Sequence, residues 1–373
     1  MTHHLISLSN LRRHTAASRD SQRRRGSVLV LITLLLIPLL AMVALALDYG
    51  YLLKVRTDLQ RFADAAALAC VQDLVPAADG SQDLNAVRTT LRNYVTTNAA
   101  QSFTVLDADI TIGRFDPATI YSNVTLLNSG VLDAVRVTVR RDASANSRVG
   151  LFVAPVLGID DAAVTATATA VLQKPSGLPP GAKILPFSVP LSAWTAQSIG
   201  DEWSIYGDGK MQDDVGNTIP GNWGTVDIGK GNNSTSDQND QILNGLRQTD
   251  LDALANDGRI ASNSQIDATQ PVSLEGDPGL SSGLKHSVQA IHGEYRIVPI
   301  YDSNNGAGGN NLNVNVVKWG VVKVLNSNWK GSKNTYVSIA KSYDYQGELR
   351  ANPDLSSTSA AVEGAYTSPV LVE

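Results

Sequence analysis

The sequence feature that most constrains this chain is the uncharged segment Ser27–Leu47, which reads SVLVLITLLLIPLLAMVALAL. Of its 21 residues, 14 are Leu, Ile or Val. A helix of this length rises about 32 Å, which is enough to cross a bilayer core of about 30 Å. Pro38 removes one backbone hydrogen bond, a loss that membrane helices tolerate. The segment therefore predicts a membrane anchor over about residues 27–47, with the lipid bilayer around it.

Charges on the two sides of this segment predict its orientation. Basic residues stand immediately before it, and an acidic residue follows it: Arg23, Arg24, Arg25 and Asp48. Because positively charged flanks stay in the cytoplasm, we expect residues 1–25 to form a polar, basic cytoplasmic tail without regular structure. The chain after Leu47 is then expected outside the cytoplasm.

A cleaved signal peptide is the alternative to a retained anchor. Ala44-Leu45-Ala46 has the small-x-small form of a cleavage site. The apolar run, however, is longer than the usual signal-peptide core of about 7–15 residues, and a long polar segment precedes it. These two features favour a retained single-pass anchor, and the cleavage site (after Gly26, after Ala46 or absent) stays open.

Charge and cysteine content exclude other classes of protein. After Leu47 the chain carries 24 basic and 34 acidic residues, a formal charge near −10, so nucleic-acid binding is not expected. Cys70 is the one cysteine, so no disulfide forms within the chain. Its alanine-rich surroundings favour a small buried residue, and an intermolecular disulfide is the alternative.

The helix is expected to continue beyond the membrane segment as far as Pro76. Apolar residues recur there at heptad-like spacing: Leu52, Val55, Leu59, Phe62, Ala66 and Ala69. The stripe changes from large to small residues, and small side chains allow close packing of another helix. Two interpretations stay open: packing on the protein's own globular part, or helix–helix association with a partner subunit through residues 52–70.

The rest of the chain predicts an α+β fold with a β-rich ectodomain. We expect a helix at Asp83–Ala100, and then about four strands in Val105–Phe115, Val131–Arg140, Leu151–Leu157 and Val164–Leu172. The Pro- and Gly-rich segment 175–182 predicts a linker between an α+β module, residues 76–174, and a β-rich domain, residues 183–373.

The β-rich domain offers fewer local signals. We expect one short helix within 238–256 and strands at Glu294–Tyr301, Leu312–Leu325, Thr335–Asp344 and Tyr366–Val372. All five tryptophans lie in this half, namely Trp194, Trp203, Trp223, Trp319 and Trp329. Core anchoring is the main interpretation for them, and contact with a glycan or protein partner is the alternative.

No pattern in the sequence predicts catalysis. The motifs H-E-x-x-H and C-x-x-C are absent from it. Two polar loops contain aspartates whose carboxylate oxygens could bind calcium. Solvated turn residues are the main interpretation of them, and a calcium site is the alternative. These residues are Asp208, Asp213, Asp214, Asp237 and Asp240. We therefore expect no enzyme activity, no cofactor and no metal, and name no catalytic residue.

Several short motifs resemble one known group when they are taken together. They are Arg24-Arg25-Gly26, Asp48-Tyr49-Gly50-Tyr51, Arg56-Thr57-Asp58-Leu59-Gln60 and Ala63-Asp64-Ala65-Ala66-Ala67-Leu68-Ala69. With the apolar segment among them, residues 26–75 resemble the N-terminal segment of the TadE/TadG-like Tad/Flp pilus-assembly proteins.

The resemblance implies a membrane-anchored, minor pilin-like accessory protein of a bacterial pilus or tight-adherence secretion system. It implies a place in the bacterial inner membrane and other pilus-assembly proteins as partners. Processed pilins of the group favour Glu at the fifth position after the cleaved Gly, where this chain has Leu31, and this departure favours a protein that stays in the membrane. A secreted or surface-anchored, adhesin-like binding module is the alternative function.

Overall fold

The computed structural model describes residues 16–77, 80–98, 103–116, 125–221, 223–229, 234–305, 312–331, 334–343, 345, 347, 349–351 and 362–372. For residues 16–27 it describes the backbone alone. The chain divides into two compact units, one formed by Met1–Arg61 and Val139–Ala166 and the other by Phe62–Thr138 and Thr167–Glu373. Residues 1–15 of the predicted tail lie outside the described residues.

Six helices and twenty strands occur within the described residues. The helices are α1 Ala16–Val71, α2 Leu84–Asn98, α3 Leu191–Ala196, α4 Thr235–Asn244, α5 Gln248–Asn256 and α6 Lys285–Ala290. The first ten strands are β1 Ile110–Phe115, β2 Leu126–Leu127, β3 Ala134–Arg141, β4 Val149–Gly150, β5 Asp161–Ala162, β6 Val164–Gln173, β7 Pro175–Leu178, β8 Phe187–Pro190, β9 Glu202–Tyr206 and β10 Met211–Asp213. The others are β11 Thr218–Ile219, β12 Gly224–Asp227, β13 Ile266–Asp267, β14 Val272–Pro278, β15 Tyr295–Asn305, β16 Leu312–Trp329, β17 Thr335–Lys341, β18 Arg350–Ala351, β19 Val362–Glu363 and β20 Thr367–Val372.

The predicted fold class is confirmed: a long apolar N-terminal helix is followed by a β-rich region. Helix α1 begins at Ala16, within the stretch that was expected to lack regular structure. Extending an existing helix requires no new nucleation, and Ala, Arg and Gln are good helix formers. The residues before the apolar segment therefore join the same helix.

The apolar run Leu151–Leu157 differs from its prediction as a strand. It contains a short 3₁₀ turn, Ala154–Leu157, at the tip of a hairpin made by β4 and β5. Pro155 has no N–H for a strand ladder, and Gly158 takes the left-handed conformation, at φ 81°, that ends the turn. Backbone chemistry thus outweighs the apolar composition at this place.

The second unit begins with the end of α1, helix α2 and a five-stranded sheet of order β2-β1-β3-β6-β20. The Asp83 carboxylate caps α2 by accepting hydrogen bonds from the N–H groups of Asn85 and Ala86. One face of α2 is buried through Val87, Leu91 and Val95, as its apolar spacing predicts. The predicted helix and the strand Val164–Leu172 are therefore confirmed, with ends shifted by a few residues.

A ten-stranded sheet dominates the rest of this unit. Strand β15 pairs with β16 and also, in parallel, with β8. Strands β12 and β14 complete the connection between β8 and β16. These five strands therefore close into a ring, which removes unpaired strand edges.

The predicted role of the tryptophans as core anchors is confirmed for four of the five. Trp194, Trp203, Trp223 and Trp319 are each at most 2% exposed. Trp329 packs at the margin of the same core. Gly320 in β16 lies against the Trp194 ring, where a Cβ would approach the ring carbons to 2.3 Å, so a side chain there would force Trp194 to move.

Residues 175–182 do not form the open linker that their Pro and Gly content suggests. Residues 175–178 are the buried strand β7, which pairs with β13 and β18. The C-terminal strand β20 also returns to pair with β6, beside the α+β module. The predicted division at 174 and 183 is based on local composition, and these pairings join residues from both sides of it.

Candidate membrane anchor and the Asp48 contact

The apolar part of α1 exposes its side chains along its whole length. The large apolar residues from Val28 to Leu47 are 46–69% exposed. The Thr33 hydroxyl donates to the carbonyl oxygens of Leu29 and Val30, at 3.0 and 2.9 Å, so the helix satisfies this polar group itself. Among the described residues α1 is the helix whose length and composition allow it to cross a membrane. Pro38 and Leu47 both lie in the exposed part of this helix. The backbone of Ser27 and of the basic triplet Arg23–Arg25 is helical and belongs to the same helix.

Asp48 stands immediately after the apolar segment and makes the best-defined polar contact of the first unit. Its Oδ1 accepts from the N–H of Phe152 at 2.8 Å, and its Oδ2 accepts from the N–H groups of Val153 and Ala154 at 3.0 and 2.6 Å. The residue is 2% exposed. One carboxylate therefore satisfies three successive N–H groups at the start of the 3₁₀ turn, and it holds the hairpin tip against α1.

Electrostatics at Asp48 favour the charged carboxylate. Burial alone raises the pKa of Asp48, but the N–H donors of Ala154, Phe152 and Val153 outweigh it and hold the pKa below its ordinary value. The contact is therefore fully formed at neutral pH. It weakens as the pH falls through this lowered pKa, when protonation takes away the charge that the three donors face.

A shallow apolar groove of about 300 Å³ accompanies this contact. It is lined by Leu40, Ala41, Ala44, Leu45 and Asp48 of α1 and by Val153, Ala154, Val156 and Leu157 of the hairpin. Above it, the Tyr51 and Phe152 rings meet edge to face with centroids 5.0 Å apart. The small side chains Ala41 and Ala44 let the hairpin approach this face of the helix.

Sequence reasoning identified Asp48 as a flanking charge and as part of the motif Asp48-Tyr49-Gly50-Tyr51, and it did not identify the hydrogen-bond partners of Asp48. The partner N–H groups lie more than 100 residues away in the chain, so no local pattern connects them. The available local signal was Pro155 within the apolar run, because a proline has no N–H to donate to a strand ladder. That run was predicted as a strand, whereas it forms a turn in which Phe152, Val156 and Leu157 are 70–85% exposed.

The predicted helix-packing stripe is only partly buried within the chain. Leu59 and Ala66 are buried, whereas Leu52, Val55, Phe62 and Ala69 are partly exposed. In the second unit the Phe62 ring lies 5.6 Å from the rings of both Tyr94 and Phe103. The most buried positions there share only Ala66 with the stripe and lie on a slightly rotated face of the helix: Ala63, Ala66, Ala67, Cys70, Val71 and Leu74.

This burial bears on the open alternatives. Cys70 is fully buried, as the interpretation of it as a small core residue expects. Ala63–Leu74 packs within the protein's own second unit. Association of a partner helix with the partly exposed Leu52 and Val55 stays a prediction.

The acidic loops that were considered for calcium are engaged by the protein itself. Arg247 forms ion pairs with Asp237, Asp240 and Asp250 at 3.2, 3.1 and 2.6 Å. Asp213 accepts from the N–H groups of Val215 and Asn217 within a turn. No group of three or more metal-ligating side chains occurs within the part of the chain that the structure describes.

A partly buried ionic group is centred on Glu363 in the large sheet. Its carboxylate accepts from Lys318, from Lys341 Nζ at 2.9 Å and from the Trp194 indole N–H at 3.1 Å. Burial raises the pKa of Glu363, but the hydrogen bonds from Lys318, Lys341 and Trp194 and the Lys341 charge lower it to about 2. Lys341 also donates to the carbonyl oxygens of Trp194 and Gln197. The group is fully partnered, which is typical of a structural element.

Two family models match the region that contains the exposed helix and the first sheet. The Tad model, described as Flp pilus-assembly TadE/G-like, matches residues 26–73, and the Tad_C model, described as Tad-like Flp pilus-assembly, matches residues 64–170. Together the two models match residues 26–170, a stretch that is similar to Tad-type Flp pilus-assembly proteins. The resemblance predicted from the sequence is thereby confirmed, and the chain is connected with Tad pilus assembly. No curated protein and no solved structure matched the chain.

The two Tad matches correspond to recognisable parts of the structure. The TadE/G-like match contains the exposed apolar part of α1, Asp48 and all of the predicted packing stripe. The second match contains α2, β1–β3, the β4–β5 hairpin and most of β6. The Asp48 contact therefore joins a residue of one match to a loop of the other, and both belong to the Tad-type region.

Proposed function

We propose that this chain is a membrane-anchored, minor pilin-like accessory protein of a Tad/Flp pilus-assembly or tight-adherence system. The observation that carries the proposal is the exposed apolar helix within the TadE/G-like match, where large apolar side chains from Val28 to Leu47 are 46–69% exposed. Water is a poor solvent for such a surface, and a bilayer core is a good one. The helix anchors the chain, and the β-rich part binds other components of the apparatus.

The proposal places the N-terminus in the cytoplasm and the β-rich part on the outer side of the bacterial inner membrane. Arg23–Arg25 before the anchor and Asp48 after it support this orientation. Leu31 supports an anchor that is retained, because pilins that enter a shaft favour a Glu at this position. The protein acts by binding, without catalysis, and the fully partnered Glu363 and Arg247 groups agree with this role.

The proposed helix association is centred on the partly exposed residues Leu52 and Val55. Their positions differ by three residues, so they share one face of α1 immediately outside the anchor. Leu53 lies on a different face and is 46% exposed. Val55→Arg and Leu53→Arg therefore form a matched pair with the same charge at the same distance from the membrane.

The test is a tagged purification of the membrane protein from cells that express the pilus-assembly components, with mass spectrometry of the bound proteins and of the chain's own N-terminus. We expect an intact anchor and recovery of pilus-assembly membrane proteins, reduced at least about tenfold by Val55→Arg and unchanged by Leu53→Arg. A mature chain beginning after Ala46 contradicts the anchored role and favours the secreted binding module. An intact anchor with no pilus-assembly protein bound contradicts the accessory role.

A further inference from the structure

The tip of the β4–β5 hairpin is an apolar loop that the anchor does not explain. We call residues 151–159, LFVAPVLGI, the apolar tip. It contains no charged residue. Charge begins directly at its base, where Arg148 and Asp161 form an ion pair at 2.6 Å. The hairpin thus has an apolar end and a charged base, an arrangement that suits a boundary between lipid and water.

The apolar tip exposes its large side chains. Phe152 is 70% exposed, Val156 85%, Leu157 76% and Ile159 55%. The first three values exceed the 46–69% of the large apolar residues between Val28 and Leu47 of α1, and the value for Ile159 lies within that range. Adjacent apolar side chains with this exposure mark a surface that something apolar covers.

The position of the apolar tip along α1 indicates what covers it. The groove described above places Val153, Val156 and Leu157 beside Leu40 and Leu45. Leu40 precedes Asp48 by eight residues, which is about 12 Å along a helix. The apolar tip therefore lies alongside about the last third of the apolar segment, and its exposed surface continues the exposed surface of the anchor.

Backbone N–H groups of the apolar tip are hydrogen-bonded within the protein, as an environment without water requires. Unpaired N–H groups are costly in hydrocarbon, so irregular backbone enters it only when its polar groups are satisfied. The N–H groups of Phe152, Val153 and Ala154 bond to the Asp48 carboxylate, and Pro155 has no N–H to satisfy. The N–H groups of Leu151, Val156, Gly158 and Ile159 bond to the carbonyl oxygens of Asp160, Val153, Pro155 and Ala154.

From these observations we propose that the apolar tip enters the outer leaflet of the bilayer beside α1. Acyl chains then cover Phe152, Val156, Leu157 and Ile159. At the lipid–water boundary, the Asp48 carboxylate accepts the hydrogen bonds of the backbone N–H groups at the start of the apolar tip. This inference depends on the proposed anchoring by α1. Two neighbouring attachments prevent the hairpin from rotating about the helix axis, so the first unit presents one fixed face to its partners.

The test uses single engineered cysteines in the full-length chain, labelled with a nitrobenzoxadiazole fluorophore and reconstituted in phosphatidylcholine–phosphatidylglycerol vesicles. Burial raises the pKa of the Cys70 thiol to about 12, so the native cysteine stays unlabelled. The labelled positions are Val156→Cys in the apolar tip, Val43→Cys in the anchor and Val215→Cys as a control. Val215 is 76% exposed in a turn of the second unit, so it matches Val156 in residue type and exposure.

We expect lipids with brominated acyl chains to quench the label at position 156 to within about twofold of the quenching at position 43, with little quenching at position 215. Iodide in the water phase should quench position 215 alone. Iodide quenching at 156, with lipid quenching at 43, overturns the inference and leaves the anchor intact. A label at 156 that neither quencher reaches is covered by protein, and this also overturns it. Loss of lipid quenching at 43 overturns the anchor itself.

Discussion

The apolar segment of α1 and the closed ring of strands in the second unit both contain many Leu, Ile and Val residues, but the ring buries most of these side chains and the helix exposes them. In the ring, Ile297, Val298 and Val321 are fully buried. In the helix, Leu29, Leu34 and Ile37 are 67–69% exposed. Burying an apolar side chain is worth about 1.5–3 kcal/mol, so leaving so many of them exposed would be costly in water. The comparison teaches that one part folds by excluding water from its own interior, whereas the other leaves an apolar surface exposed, which a bilayer covers in the proposed anchored role.

The comparison is tested most strongly by placing charge in the helix. Leu35→Arg together with Ile37→Arg adds two charges at positions that are 60% and 69% exposed. Each Arg near the centre of a membrane helix costs about 2.5–3.5 kcal/mol. We expect most of the chain to move from the membrane pellet to the supernatant after alkaline carbonate extraction.

The matched control is the pair Leu35→Ala and Ile37→Ala, which shortens both side chains without adding charge. This variant should stay in the pellet. If the arginine variant is retained as well as the alanine variant, the helix is not embedded in lipid and the comparison fails.

The second test concerns water exclusion in the large sheet. Phe187 is fully buried, and its ring lies 5.3 Å from that of Trp223. Phe187→Ala should lower the free energy of unfolding by about 3–5 kcal/mol because it leaves a cavity. Val215→Ala, at a position that is 76% exposed, should change it by less than about 0.5 kcal/mol. Chemical denaturation in detergent, followed by tryptophan fluorescence, measures both, and similar effects would refute the core assignment.

The third test concerns the ionic group in the sheet. The pKa of Glu363 is lowered from 4.5 to about 2, so its contribution is fully present above pH 4.5 and is lost as the pH falls towards 2. Such a shift corresponds to about 3 kcal/mol, which partial exposure reduces to about 2 kcal/mol. Between pH 4.5 and 2.5, we expect the free energy of unfolding of the Glu363→Gln variant to fall much less than that of the original protein.

Glu202→Gln is the control, because Glu202 is an exposed residue in β9 of the same sheet. Its unfolding curves should keep the pH dependence of the original protein. A Glu363→Gln variant with an unaltered pH profile would show that Glu363 does not carry this dependence.

The smallest expected effect is local and concerns the contact that holds the apolar tip. Asp48→Ala leaves the N–H groups of Phe152, Val153 and Ala154 without their acceptor. We expect hydrogen exchange at these three amides to accelerate about tenfold, since each loses a charged acceptor. Asp58→Ala, which removes an exposed partner of Lys54, should leave them unchanged. Equal exchange in the two variants would contradict the role given to Asp48.

The sequence predicted those parts of the structure that local patterns determine. The apolar segment, the α2 face and the alternation in Val164–Leu172 each follow from residue spacing over a few turns or one strand. Thr165 and Thr167 are exposed as the alternation requires, whereas Thr169 is buried and its hydroxyl accepts a hydrogen bond from Arg136. The α+β fold class was predicted for the same reason.

The parts that the sequence could not predict depend on contacts between distant residues. The pairing of β20 with β6 and of β15 with β8 leaves no local signal. The Asp48 contact is similar, because a single Asp after an apolar helix fits topology as well as it fits a structural contact. The segment 151–157 was predicted as a strand because of its apolar composition, whereas Pro155 and Gly158 determine a turn and leave its large apolar side chains exposed.

The measurement that tests the central claim most directly is the labelling of single cysteines on either side of the anchor in intact spheroplasts. Ser21→Cys lies before the apolar segment, and Val215→Cys lies in the β-rich part. With a membrane-impermeant maleimide, the account predicts labelling at position 215 in intact spheroplasts and labelling at position 21 only after the membrane is opened. Labelling of both positions before opening, or of position 21 alone, would contradict a chain that is anchored by α1 with its β-rich part outside.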